Sequence, residues 1–255
     1  MNTEATNSLP DLDAFAAAHN LAAIGVADLD ALRRAEPEAM ASAPTEFPRG
    51  IALGIRLADA ILDEIEDRPT PLYFHLYRQA NYALDRAAFE LALILQRAGH
   101  RALPVPASQI IGIPGTPYSS PSRASTPSNA ADGDKYGVPG IPPRGLLSHR
   151  LVGHQAGLGW IGRPTLLVHP QFGARMRYAT VLTDAPYPPG QPVENGCGEC
   201  RRCIVACPAG AVHESSREFD LPACFATLDQ FRKLPFIGQH ICGICIRECK
   251  GPECV

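Results

Sequence analysis

At 255 residues the chain is long enough to bury a sizeable core, in one large or two modest domains. With 45% hydrophobic and 19% charged residues it reads as globular rather than disordered, and its formal net charge of −3 gives no global basic field for nucleic acid or an anionic membrane. The opening MNTEATNSLPDLDAF lacks the basic and apolar stretches of a secretion signal, and no window approaches about 18 apolar residues, so a cytoplasmic protein without membrane spans is expected.

Residues 10–19 predict a short helix with Asp11 as N-cap. LAAIGVADL (21–29) and GIALGIRL (50–57) predict buried strands, with a loop over 36–50 between them. The clearest helix spans 72–98, where Leu76, Ala80, Ala83, Ala87, Leu91 and Leu95 recur at helical spacing and Gly99 suits the C-cap. ALPVPA (102–107) predicts a strand, placed on an edge by its prolines. Strands alternating with helices indicate an α/β or α+β domain. Residues 108–145 are rich in Pro, Gly and Ser without periodicity. They read either as a disordered linker or, being inside the domain, as a loop that lids a ligand. RGLLSHRLVGHQAG (144–157) predicts a helix ending at Gly157, and 162–184 a β-hairpin turning near 170–174. The turn-rich 185–196 is expected to link residues 1–190, an α/β domain, to a cysteine domain over 191–255.

No cysteine occurs in residues 1–196, and all nine occur in 197–255. An odd count in a chain without a secretion signal argues against a disulfide scaffold and for metal ligation. Cys197, Cys200, Cys203 and Cys207, followed by Pro208, have the C-x2-C-x2-C-x3-C-P spacing of bacterial ferredoxins, in which the fourth cysteine serves the other of two [4Fe–4S] clusters. Three cysteines on a tight turn reach three corners of one cubane, and the fourth points elsewhere. By that crossover rule one cluster takes Cys197, Cys200, Cys203 and Cys249, and the other takes Cys207, Cys224, Cys242 and Cys245. Lys250 stands where a second proline would be expected, and Cys254 is a bystander thiol. A zinc ribbon is the competing reading, although a single zinc site needs only four ligands.

AGLGWIGRPTLLVHPQFGARMRYATVLTD (156–184) followed by CGECRRCIVACPAGAV (197–212) resembles epoxyqueuosine reductase and its relatives, among them the corrinoid-dependent reductive dehalogenases. The resemblance implies an α+β protein in which a nitroreductase-like α/β domain precedes a ferredoxin-like double-cluster domain. It implies a cobalamin that receives electrons singly from the clusters. Gly157, Leu158, Gly159, Trp160, Ile161 and Gly162 would lie against that cofactor, in keeping with the close backbone approach that glycine permits; considered alone, the same glycines suit a tight helix-to-strand connection.

The sequence departs from the family pattern in three places. The catalytic aspartate expected before the glycine segment falls near Pro143, with Asp132 and Asp134 out of register, and Arg163 replaces a lysine. The chain also stops just past the last cluster cysteine, where such enzymes continue into a helical-repeat domain. On that basis no nucleic-acid partner and no membrane partner are expected. The expected partners are a ferredoxin or flavodoxin as electron donor and a small molecule or a corrinoid as substrate. His149 and Tyr136 are the candidate proton donors, with Lys135 and Tyr118 behind them; His149 also reads as a core histidine or a cobalt ligand. Three functions compete: a cobalamin-dependent reductase, an electron carrier to another protein's corrinoid, and a cobalamin-free iron–sulfur module.

Overall fold

The computed structural model describes residues 9–108, 145–194 and 196–251. Helix α1 (Leu12–Ala18) starts where the Asp11 carboxylate accepts from the Asp13 and Ala14 backbone N–H groups. Strand β1 (Ala23–Asp28) runs straight into α2 (Leu29–Ala35), because Asp28 ends the strand and its side chain caps the helix through the Asp30 and Ala31 N–H groups. Strand β2 (Arg49–Arg56) is followed by α3 (Asp59–Asp63) and the 27-residue α4 (Pro71–Arg97). Thr70 caps α4 through the Tyr73 N–H, and Pro71 occupies the first turn, where its missing donor costs nothing. Gly99, at φ +89°, ends that helix as its sequence position predicts.

Strand β3 (Ala102–Val105) lies on an edge, as its prolines require, and α5 (His149–Gln155) follows the next described residues. The helix predicted over 144–157 is therefore shorter at its start. Two short strands, β4 (Trp160–Ile161) and β5 (Leu167–Val168), pair with each other, and β6 (Met176–Thr183) completes a four-stranded antiparallel sheet of order β1-β2-β6-β3. The hairpin expected over 162–184 is thus corrected. Its tip survives as a single bridge between His169 and Gly173, but β6 leaves it to enter the sheet, pairing along its whole length with β2. Val181 and Ala179 point from β6 to one face, and Leu182 and Thr180 to the other. A strand with both faces covered has to be apolar throughout, so its sequence lacks the alternation of a solvent-facing hairpin.

Ile51, Leu53, Ala179 and Val181 meet Leu84, Ala88, Leu91 and Leu95 of α4 and Phe15 of α1 on one face. On the other, Ala52 and Leu182 meet Leu29 and Leu32 of α2 and Val152 of α5. Gly50 lies under that second layer, where an added Cβ would stand 3.0 Å from Leu29 and 3.1 Å from Val152. The stretch 185–196 is not a free tether. The Gly190 N–H donates to the Val26 carbonyl, and the Tyr187 hydroxyl donates to the Pro10 carbonyl at 2.8 Å.

The remaining helices are α6 (Arg202–Ala206), α7 (Leu221–Arg232) and α8 (Ile244–Glu248). They are anchored on the start of α4 by a third apolar cluster, in which Leu62, Ile65, Tyr73 and Ala80 meet Ile237, Ile241 and Ile244. Arg175, only 3% exposed, ties the same two regions by hydrogen bonds. Its guanidinium donates to Asp59 at 2.8 Å, to Asp63 at 2.6 Å and to the Arg247 carbonyl at 2.6 Å. Among the described residues no helix is long and apolar enough to cross a membrane.

Candidate iron–sulfur site

Eight cysteines are described, all free thiols, and they fall into two neighbourhoods. Burial pushes the Cys203 thiol up to about 12, and the next contributions come from Cys249, Cys197 and Cys200. Burial likewise pushes Cys242 up to about 11, with Cys224 and Cys207 as its charged neighbours, and Cys224 upward, with Cys207 as its neighbour. Half-buried Cys245 is likewise pushed up by burial, then by Cys242 and Cys224, with Cys203 and Cys207 behind them. Burial thus opposes ionisation of Cys203, Cys224, Cys242 and Cys245. A cationic core among them would relieve both the desolvation and the mutual repulsion, so the donor set fits iron–sulfur chemistry. Among the described residues no three His, Cys, Asp or Glu side chains converge as on one metal ion. A cubane, which puts its own iron and sulfide between its cysteines, does not ask for that convergence. Cys254 lies outside the described residues.

The elements explain how distant cysteines meet. Cys197 and Cys200 sit on the turn leading into α6, Cys203 lies in its first turn, and Cys207 caps its far end. Helix α8 packs on α6, which brings Cys249 at its C-cap toward the first group while Cys245 within it faces the second. Gly243, at φ +89°, starts α8; a Cβ there would come within 2.7 Å of the Tyr73 ring and 2.6 Å of Ile65. The bridge His169–Gly173 closes over the first group, with the Ala174 N–H donating to the Cys249 carbonyl at 3.0 Å.

Residues 157–162, the expected ligand platform, form a tight turn packed against the protein's own chain. Gly157 has φ +80°, and a Cβ there would lie 2.7 Å from the Gln191 carbonyl oxygen. A Cβ on Gly159 would lie 2.0 Å from the Val168 carbonyl oxygen, and one on Gly162 would lie 2.6 Å from the Val168 side chain and 3.4 Å from Cys197 Sγ. The space beside these glycines is filled by the protein's own chain. The tight turn so formed aims Trp160 at the first cysteine group: its indole Nε1–H donates to Cys197 Sγ at 3.3 Å. Arg163 follows, donating to the Cys200 carbonyl at 2.7 Å and to the Gly198 carbonyl at 2.8 Å. Of the remaining members of the run, Leu158 and Ile161 pack against Leu167 and Tyr178.

His149 is not placed as the expected proton donor. Pro106 has only a carbonyl to offer, so Nε2–H donates to it at 2.8 Å, and Nδ1 then accepts from the Thr180 hydroxyl at 2.8 Å. Burial lowers its pKa to about 4 against the Pro106 bond, and Arg177 lowers it further. The imidazole is neutral at pH 7 with both nitrogens engaged, which makes it a tie between α5, β6 and the 106–108 segment. Because the unfolded chain binds this proton near pH 6.5 and the folded chain near pH 4, stability should fall as pH drops from about 6.5 to about 4. Urea melts across that window should show the slope in the parent and a flatter one in His149→Asn. Equal slopes would refute the assignment. Tyr136, Lys135 and Tyr118, like the proposed lid over 108–145 apart from its ends, lie outside the described residues.

Sequence reasoning missed a second polar group. Tyr73, Tyr77 and Asn81 recur at four-residue spacing along α4, a polar stripe that could have been read from the periodicity. Arg177 of β6 donates to Asn81 Oδ1 at 2.8 Å and lies over the Tyr77 ring at 4.4 Å, and the Tyr77 hydroxyl bonds Ser108 at 3.0 Å. Burial raises the Tyr77 phenol, but Arg177 and the bonds from Ser108 and Asn81 outweigh it and hold the pKa below its ordinary value.

No family model matches the chain. Curated sequences do: epoxyqueuosine reductase of Bacillus anthracis is 40% identical over 86 residues, 34% of this chain and 22% of that protein. Over that segment the chain is similar to epoxyqueuosine reductase. The Salmonella typhimurium enzyme of the same name is 36% identical over 106 residues, 38% of this chain and 27% of its own length. The matched segments thus span about a quarter of these relatives. Among solved structures, the catabolic reductive dehalogenase NpRdhA in complex with 3-bromo-4-hydroxybenzoic acid superposes with a TM-score of 0.66 at 16% identity, over 98% of this chain and 34% of that one. A reductive dehalogenase structure described as suggesting a mechanism for B12-dependent dehalogenation gives 0.65 at 18% identity, over 97% and 33%. Epoxyqueuosine reductase with a tRNA-Tyr epoxyqueuosine-modified stem loop gives 0.50 at 18% identity, over 92% and 62%. The mixed α/β fold is therefore shared with both kinds of enzyme. The expectation that no nucleic acid is a partner does not stand, because the sequence relatives are epoxyqueuosine reductases and a structure of that name holds a tRNA stem loop.

Proposed function

We propose that the chain is an iron–sulfur oxidoreductase holding two [4Fe–4S] clusters, one on Cys197, Cys200, Cys203 and Cys249 and the other on Cys207, Cys224, Cys242 and Cys245. The observation that carries this reading is that Cys197, Cys200, Cys203 and Cys249 line one cavity, brought together by the packing of α8 on α6, in a chain whose cysteine spacing is that of a two-cluster ferredoxin. We divide the chain into a nitroreductase-like α/β unit over 1–190 and a ferredoxin-like double-cluster unit over 191–255, supported by a sheet that is complete at Thr183 and cysteines that begin at Cys197. When bound, such clusters supply single electrons at low potential. The chain's own residues bury the sulfurs, place the Trp160 N–H on one of them and fix the turn at 197–200 through Arg163.

As electron acceptor we propose a cobalamin, used to reduce a small substrate, on the strength of the fold shared with a reductive dehalogenase described as B12-dependent. Gly157, Leu158, Gly159, Trp160, Ile161 and Gly162 remain its proposed flank; the Cβ directions of their glycines are taken up by the protein's own chain, and no step is derived through the cofactor. A second reading, an electron carrier to another protein's corrinoid, is favoured by Val205, 86% exposed between Cys203 and Cys207.

Anaerobic reconstitution tests the clusters. About eight iron and eight sulfide per chain are expected from two cubanes. Cys249→Ala should abolish the same EPR signal as Cys197→Ala, and Cys224→Ala the other. Stoichiometric zinc without iron would overturn the reading. Equilibrium dialysis of the reconstituted protein with cobalamin then separates the reductase, which binds it, from the carrier, which does not.

A further inference from the structure

Trp160 is the chain's one tryptophan. The ring is buried, packed with Val168 and Ala174, and lies over Gly196, where an added Cβ would stand 3.0 Å from it. Its polar atom is spent on Cys197 Sγ. The residues that hold it there, Gly159 and Gly162, are the ones whose side chains the Val168 strand would exclude.

We propose that Trp160 is a positioning residue acting through Cys197, whose N–H···S bond raises the reduction potential of the cluster on Cys197, Cys200, Cys203 and Cys249 so that this cluster takes the first electron. The inference rests on the cluster reading above. One electron from an external reductant enters without any bond made or broken, and the added negative charge spreads onto the thiolate sulfurs. A donor already aimed at one of those sulfurs stabilises the reduced form more than the oxidised form. Arg163 adds a guanidinium to the same side, close enough to act on Cys203. The second group is enclosed differently. Backbone N–H groups of Ala211 and Ile244 reach Cys207 and Cys242, and the walls are Ile65, Ile241 and the buried Tyr73, whose neutral phenol lies near Cys245 and Cys242. With an indole N–H and the Arg163 cation on the first side against neutral donors on the second, the two cubanes would separate in potential, the Trp160 side being the easier to reduce.

The test is an EPR-monitored redox titration of the reconstituted full chain with dithionite and mediators. Cys224→Ala, by removing the second cluster, identifies the wave belonging to the first. Trp160→Phe should shift that wave to lower potential by about tenfold in its one-electron equilibrium, ~59 mV, leaving the other wave and the iron content unchanged. Should Trp160→Phe lose iron, the same titration is run on protein in which the single tryptophan is replaced biosynthetically by 3-benzothienylalanine, which keeps the ring shape and lacks the N–H. An unmoved first wave in an iron-replete variant overturns the role of Trp160. A parent chain that takes up no iron instead overturns the cluster reading on which it rests.

Discussion

Gly159→Ala is expected to lower stability by about 3 kcal/mol and to abolish iron retention after reconstitution. A Cβ at this position would be driven to 2.0 Å from the Val168 carbonyl oxygen, and that oxygen belongs to backbone held by the β4–β5 pairing. Neither side can yield by rotating a side chain. The two strands must part, and with them goes the aim of Trp160 at Cys197 and the seating of Val168 against the same cluster of residues. Thermal unfolding followed by circular dichroism should drop by roughly 6–12 °C, from about 2–4 °C per kcal/mol for chains of this size. Iron analysis on the same samples gives the second measurement. A variant that melts within about 2 °C of the parent and keeps its iron would show that the turn is not required.

Arg175→Met should cost about 2 kcal/mol and reduce iron on both cysteine groups together. The effect follows from where the guanidinium sits rather than from its charge. Asp59 and Asp63 are 42% and 48% exposed, so water can replace their lost partner and the ion pairs themselves contribute little. The Arg247 carbonyl loses a donor, and α8 loses one of its ties to α3. Because α8 carries Cys245 and is capped by Cys249, a loosened α8 disturbs one ligand of each group. Lysine at 175 should rescue only in part, since its single ammonium nitrogen lacks the two spaced nitrogens with which the guanidinium reaches Asp59, Asp63 and the Arg247 carbonyl. The acid limb supplies a further signature. Hydrogen bonding to Arg175 holds both aspartates below the ordinary carboxylate range, so their contribution is full above about pH 4 and is lost as pH falls through the lowered values. In Arg175→Met that part of the acid denaturation curve should flatten. Loss of iron from one group alone would refute the shared anchoring.

The sequence was most informative where a local rule acts alone. Asp11, Gly99 and the prolines of 102–107 each sit where the structure uses them, because a cap, a left-handed residue and a missing donor need no distant partner. The cysteine spacing likewise encodes its own geometry on one turn. The failures share a different cause. Helix α2 hides behind a strand because Asp28 ends one element and starts the next, and β6 was misread because its partner, β2, lies more than a hundred residues away. The glycines of 157–162 announce a close approach but not to what, and only the fold shows that the near neighbour is Val168. His149 carries no sequence mark of Thr180 or Pro106, the two groups that hold it neutral.

Strand order has a consequence for synthesis on the ribosome. The last strand to be made, β6, occupies an inner position between β2 and β3, both of which emerge much earlier. Until residue 183 has left the exit tunnel, β2 and β3 each present a bare row of backbone donors and acceptors, and the apolar side of α4 has an incomplete sheet to cover. The nascent chain thus passes through an interval in which misplaced strand pairing competes with the correct insertion. The cysteines come later still, so metal loading follows an already closed sheet, and chaperone demand should concentrate before the first thiol appears.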